Sequence, residues 1–420
     1  MRFRVLIVMF LAFACRAMAE GKGVAHIPLP ADISGTLDGA DYIIRVPANW
    51  NGTLLMFAHG TQLGSPVAEA APKAWPAVSP SLEQQLLGLG YSVAGSGYRS
   101  DSDKEAVLQT LALTNFFKGI VGNPGRIIIW GNSLGGKIAL KLIEEHPGVY
   151  DGAIANCAPD AGAQENADMG LSLSLAYAAT FGWHDDLWGP VEDLRDDLDF
   201  FADVRPIFLA EASPFPKYPQ WEFIRLILKL PSQAFYGVDP VSNFPFIGLV
   251  MWKATGQRAA LEAENGGPVA ENFDLHYAFN TAEKLYLASL GLDADQLLAY
   301  MNARTNVTAD RAARIHAEHW GGLSGRLRRP VLTMHAKLDG VAFVSQESYY
   351  ASLVQAAGCG DLLVQAFVNV AGHSSFSADQ YMSTLAAMES WIDTGLRPDA
   401  SVLPLNKGFD LEYVPPPWPF

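Results

Sequence analysis

Arg126-Ile127-Ile128-Ile129-Trp130, rich in β-branched residues, runs into Gly131-Asn132-Ser133-Leu134-Gly135-Gly136. A Gly-x-Ser-x-Gly core between a strand and a helix is a nucleophile elbow, a sharp turn that lifts one serine hydroxyl above the sheet edge. Glycines on both flanks let neighbouring segments pass close to a strained backbone. The turn leaves the N–H of Leu134 free at a helix N-terminus, where it can face a developing oxyanion. The chemistry expected of Ser133 is therefore nucleophilic attack on a carbonyl. The bland alternative is a structural turn.

A serine hydroxyl needs a base to take its proton, and the base needs an acid to orient it. Both are expected in loops at the C-terminal edge of the sheet, in the order serine, acid, histidine. Val331-Leu332-Thr333-Met334-His335 reads as a strand, with Asp339 in the loop that follows, closed by Gly340. Asp339 is the expected acid; a turn-capping aspartate is the alternative. Asp160, after an earlier strand, is the second candidate. The last strand ends in Val370-Ala371-Gly372-His373. There His373 can turn Nε2 to Ser133 and Nδ1–H to the acid. The second oxyanion donor is expected after the strand Leu54–Ala58, where His59-Gly60-Thr61 follows. The N–H of Thr61 is the first choice and that of Gly60 the second, with His59 holding the loop.

Other patterns are weaker. His316-Ala317-Glu318-His319 can place two imidazoles on one helix face, but further ligands at a recognisable spacing are missing, so no metal is expected. The acidic stretch 185–199 lacks the glycine and terminal glutamate of a calcium loop and reads as a solvated face. No phosphate loop or dinucleotide fingerprint occurs, and no cofactor is expected. The formal net charge of −15 disfavours nucleic acid and anionic membranes as partners. A small molecule is the expected partner.

The elements that must position these residues are read from alternation and punctuation. Strands are expected at 26–33, 41–46, 53–58, 92–95, 126–130, 152–157, 331–335 and 362–370. Helices are expected at 82–89, 104–121, 134–146, 346–357 and 378–392. Pro147 stops the third of these, and Gly358 and Gly395 cap the last two. Strands alternating with helices call for a mostly parallel sheet covered on both faces. Residues 159–324 break the rhythm: they hold helical patches and many aromatics but no convincing strand. A segment that long is not a structureless loop, so it is expected to be a helical lid or cap. Its aromatics should form mostly its own core, with a minority lining the acyl pocket. The tail 396–420 is proline-rich and expected to lie extended on the body.

Residues 1–19 have the shape of a secretory signal: Arg2 and Arg4, an apolar run from Val5 to Ala14, and Ala17-Met18-Ala19 as the cleavage site. Loss of Arg2, Arg4 and Arg16 takes the net charge from −15 to −18. A retained anchor is the second reading and lipoprotein processing at Cys15 a third. The mature chain, 20 onward, is expected outside the cytoplasm without stable membrane association. Cys157 and Cys359 then remain. They fall at opposite ends of parallel strands, roughly 15 Å apart at about 3.3 Å per residue, too far for a bridge. Two free, mostly buried thiols are expected.

The chain resembles secreted bacterial serine hydrolases of the α/β-hydrolase superfamily. The matching pieces are Ala58-His59-Gly60, Gly131–Gly136, Pro330–His335 with Asp339, Gly372-His373, the stretch 90–99, and Val46–Thr53. The likeness covers roughly 26–158 and 326–395. It implies an eight-stranded, mostly parallel sheet with the second strand antiparallel, and acyl transfer to water. It divides the chain into a core, 20–158 with 325–395, and the insertion 159–324. The leading expectation is a carboxylic-ester hydrolase acting on an apolar or aromatic ester. An aminopeptidase with an acidic pocket from 185–199 or 262–274 is the second, and a silent binding protein on the same fold the third.

Overall fold

The computed structural model describes residues 27–62, 73–211, 217–236 and 244–420. The expected leader 1–19, with Cys15, lies outside the described residues, as does the first residue of the strand expected at 26–33.

The strands are β1 (Ala31–Leu37), β2 (Ala40–Val46), β3 (Thr53–Ala58), β4 (Ser92–Ser96), β5 (Arg126–Asn132), β6 (Gly152–Asn156), β7 (Val331–Leu338), β8 (Leu363–Ala371) and β9 (Phe409–Asp410). They form one sheet in the order β1-β2-β4-β3-β5-β6-β7-β8-β9. Strands β3 to β8 are mutually parallel, while β2 runs antiparallel to both β1 and β4. The expectation of eight strands falls short by one. The ninth comes from the proline-rich tail, where Phe409 and Asp410 pair antiparallel with Val368 and Phe367. Two paired residues are too short a run to carry an alternation signal. The first strand also starts five residues later than expected, at Ala31, and runs on to Leu37 at the hairpin with β2.

Alternate residues of the central strands feed two layers, as the period of two requires. Leu54, Met56, Ile127 and Ile129 face one side, under helices α2 (Asp103–Ile120) and α3 (Leu134–Glu145). Leu55, Phe57, Ile128 and Trp130 face the other, under Leu82 and Leu86 of α1 (Pro80–Gly88) and Leu385, Met388 and Trp391 of the C-terminal helix 378–394. Helix starts follow their side-chain caps. The hydroxyls of Ser79 and Ser102 accept from Leu82 N–H and Glu105 N–H, each at 3.2 Å. Ser377 and Gln380 close a reciprocal capping box.

Between β6 and β7 the chain is helical, with no strand among the described residues of 159–324. Helix α4 (Ala163–Phe181) is its axis, surrounded by the fully buried Trp188, Phe208, Trp221, Phe223 and Phe235. The insertion thus builds a core of its own. Trp418 and Phe420, at the end of the tail, pack against it. Cys157 and Cys359 are both free; Cys157 is buried and Cys359 half-buried.

Candidate active site

The elbow is set by three segments that touch. Ser133 has φ +57° and ψ −124°, a region L-residues rarely adopt. Holding it there costs on the order of 1–3 kcal/mol. A side chain on Gly131 or Gly135 would run into the main-chain oxygen of Ala58, so both positions demand glycine for β3, β5 and α3 to meet. Gly60 passes equally close: a Cβ there would lie 3.0 Å from Asn132 O and 3.1 Å from Ser133 Cβ. The turn is pinned from below. Ser133 N–H donates to Asn156 O at 2.9 Å. Asn156 Nδ2 donates to Asn132 Oδ1 at 3.0 Å, and Asn132 Nδ2 donates to the Tyr381 hydroxyl at 2.7 Å.

Asp339 follows β7 and His373 follows β8, so the parallel pairing of these strands carries both loops to one sheet edge. His373 Nδ1 donates to Asp339 Oδ2 at 2.7 Å. The other carboxylate oxygen accepts from Val341 N–H at 2.7 Å and Ala342 N–H at 3.1 Å. Asp339 is 1 % exposed. Burial on its own would raise its pKa, but the facing His373, then His335 and the Val341 N–H, hold the carboxyl below its ordinary value. It is a buried anion with every bond it needs.

Ser133 and His373 line one cavity of about 600 Å³. Leu134 and Thr61 line it too, with Leu134 opening α3, where main-chain N–H groups lack helical acceptors. His373 Nε2 is buried and makes no hydrogen bond with any described residue. Leu249, Trp252 and Leu261 supply apolar wall from the insertion, and Lys137, Lys253, Arg258 and Glu264 supply charge. His59 is buried behind the Thr61 loop, with Nδ1 donating to Gly60 O at 2.7 Å and its ring stacked on Tyr98. Burial lowers its pKa.

The second candidate acid goes elsewhere. Asp160 is fully buried beside Glu347 and His335, and no hydrogen bond joins it to His373. Burial first and then the Glu347 charge push its pKa well up, the opposite direction from Asp339. The pair His316 and His319 gives no metal-ligand set. His316 Nδ1 bonds to Asn265 Oδ1 at 2.7 Å, and its Nε2 accepts from Trp320 Nε1 at 3.2 Å.

No protein-family model matches the chain. It is 23% identical over 444 residues to an o-phthalyl amidase of Xanthobacter agilis, across 91% of this chain and 91% of that one. Among solved structures, it is similar to an esterase from Aspergillus oryzae, with TM-score 0.45 and 15% identity over 87% of this chain and 80% of that one. Feruloyl esterase B from Aspergillus oryzae gives TM-score 0.44 and 14% identity over 88% and 81%. An acylaminoacyl peptidase from Pyrococcus horikoshii gives TM-score 0.40 and 11% identity over 89% of this chain and 44% of that one. The strand order, the elbow between β5 and α3, and an acid and a histidine in the loops after β7 and β8 are decisive. The chain has the α/β-hydrolase fold.

Several residues of this hydrolase fold have no local signal in the sequence. Asn156 and Tyr381, which hold the elbow, are an unremarkable strand end and a helix residue. Behind Asp339 lies a buried ion pair. His335 Nδ1 donates to Glu347 Oε1 at 3.0 Å and its Nε2 donates to Ala342 O at 2.9 Å, so both ring nitrogens carry protons. Burial opposes this cation, but the Glu347 hydrogen bond and charge, then Asp339 and Asp160, outweigh it and raise its pKa to about 9. Glu347 is completed by Thr333 Oγ1 at 2.7 Å and Gln365 Nε2 at 2.5 Å. Cys157, His335 and Asp339 place ligand-type atoms within 4.8 Å of one another. Burial and then the Asp339 charge keep the Cys157 sulfur protonated, and His335 has both nitrogens engaged, so the trio lacks a free lone-pair set for a cation.

Proposed function

We propose that the protein is a serine hydrolase that cleaves carboxylic esters through an acyl-enzyme. The observation that carries this reading is the 2.7 Å bond from His373 to a buried Asp339, on the same cavity as a strained Ser133. His373 Nε2 takes the Ser133 Oγ proton as the oxygen bonds to the ester carbonyl carbon. The N–H groups of Leu134 and Thr61 hold the oxyanion. The tetrahedral species expels the alkoxide, which leaves as the alcohol with the proton from His373. Water then attacks the acyl carbon, His373 taking its proton, and Ser133 recovers that proton as the carboxylic acid departs. Asp339 stays ionised and steadies the imidazolium. The helical block 163–321 is read as a lid that excludes water from this chemistry. Secretion after removal of residues 1–19 belongs to the same proposal; among the described residues no helix is long and apolar enough to cross a membrane.

The relative's name, o-phthalyl amidase, favours an amide as the second substrate class on the same machinery. Labelling with a fluorophosphonate, followed by peptide mapping, tests the nucleophile: the adduct is expected on Ser133. Well-folded protein left unlabelled would point to the silent binding protein instead. Parallel turnover of p-nitrophenyl acyl esters and acyl-anilides then separates esterase from amidase.

A further inference from the structure

Lys253 opens a π-helical turn, Lys253–Gln257, in the part of the insertion that covers the cavity. Such turns widen a helix and recur at functional sites. Its side chain is buried, at 7 % exposure, with Nζ 5.6 Å from the centroid of the Phe343 ring, and it makes no hydrogen bond or ion pair with any described residue. Several neighbouring charges of the wall are paired, and Lys104 lies over the Trp320 ring at 5.7 Å. Lys137 pairs with Asp103 at 2.7 Å, Arg258 with Glu262 at 2.7 Å, and Arg99 with Glu105 at 2.5 Å. Asp101 accepts from Gln62 N–H at 2.8 Å and faces His59. Glu264 is raised by burial and has Asp103 and Lys137 as its charged neighbours.

The charges acting on Lys253 are Asp339 and Lys137. Asp339 is already committed to His373, Val341 and Ala342. Burial lowers the Lys253 pKa to about 8, so the amine is still largely an ammonium at neutral pH. A buried ammonium without a partner is unfavourable unless something supplies the counter-charge. Arg258 also lines the cavity, but its guanidinium is turned inward onto Glu262 and Ser174, which leaves Lys253 as the buried cation without a counter-charge among the described residues.

We propose that Lys253 binds a carboxylate carried by the substrate, so that the preferred substrates are esters or amides bearing a free carboxyl group. This rests on the serine-hydrolase reading and narrows it. The carboxylate can belong to the acyl half, as in a monoester of a dicarboxylic acid, or to the leaving group.

The test compares matched substrates on the full-length protein. For the acyl half, p-nitrophenyl hydrogen adipate is set against p-nitrophenyl hexanoate. For the leaving group, 4-carboxyphenyl hexanoate is set against phenyl hexanoate. In one of the two pairs the wild type is expected to favour the anionic member by about tenfold or more in kcat/KM, as befits a charge-assisted hydrogen bond. Lys253→Met should lower that ratio by at least the same factor, mostly through KM, and Lys253→Arg should restore most of it. Preference for the neutral member in both pairs overturns the proposal, and that result needs no variant to fold. Equal losses on anionic and neutral esters in Lys253→Met also overturn it, because they mark a role through Asp339 alone. Failure of the parent reading looks different: neither member of either pair is turned over and Ser133 takes no fluorophosphonate.

Discussion

His373 and Asp339 are joined by a 2.7 Å bond across the loops that follow β8 and β7, while Asp160 sits one strand away beside Glu347, its pKa pushed up rather than down. Both carboxyls are buried, and their surroundings shift their pKa values in opposite directions. Asp339 faces the His373 imidazole and two main-chain N–H groups; Asp160 faces the Glu347 carboxylate, offset only in part by His335. Asp339→Asn is therefore expected to lower kcat on the order of 10⁴-fold, as in other triads where the histidine loses its orienting anion. Asp160→Asn should leave kcat within a few-fold of wild type. Steady-state kinetics on one p-nitrophenyl ester decides, and the reverse pattern would assign the acid to Asp160.

Ser133→Ala should abolish ester turnover above the uncatalysed rate and remove fluorophosphonate labelling. The main chain at φ +57° is held by Asn156 O and the β3 contact rather than by the hydroxyl. Thermal unfolding should therefore stay close to wild type. A large drop in melting temperature would mean that the hydroxyl is structural.

Gly135→Ala tests the geometry of the elbow itself. The added methyl would overlap the Ala58 carbonyl, which is main chain within the central sheet and has nowhere to move. A loss of about 3 kcal/mol or more is expected in chemical denaturation, at the upper end for overpacking. A near-neutral variant would show that β3 and α3 can separate.

The anion preference expected from Lys253 should depend on pH with a definite sign. The group is cationic below its pKa of about 8 and neutral above it, while a substrate carboxylate stays ionised across that window. The ratio of kcat/KM for the anionic over the neutral ester should therefore be high at pH 6–7 and fall as pH rises through about 8. Taking the ratio cancels the titration of groups that serve both esters, including His335, which titrates near pH 9 behind Asp339. A ratio that is flat from pH 6 to 9.5 would contradict the assignment.

What was legible in the sequence is what local pattern encodes. The β-branched run 126–130, the flanking glycines, and Asp339 and His373 each directly after a strand could be read without tertiary contacts. Pattern puts Asp339 ahead of Asp160, but the physical difference between them lies in what packs on them: His373 for one, Glu347 for the other. Strand β9 is invisible because two residues have no period. The charged part of the cavity was missed for a related reason. The aromatics of 159–324 do read as a core, and Trp188, Trp221 and Phe235 fill it. Among the aromatics of that segment, Trp252 lines the cavity. Lys253, next to it, looks in sequence like any solvated lysine. Its burial follows from how the insertion folds back over the sheet, which no local window reports.

The two residues of β9 have a consequence for the solution behaviour of the protein. Without them β8, nine residues long, would end the sheet with open N–H and C=O groups, a template for pairing with another chain. Phe409 and Asp410 cover the middle of that rim, at Val368 and Phe367; Lys337 ties Asp410 down at 2.6 Å, and Gln380 holds Lys407 O at 2.9 Å. The proline-rich tail thus blunts part of an open edge, and a chain shortened before Phe409 should self-associate more than the full chain in light scattering.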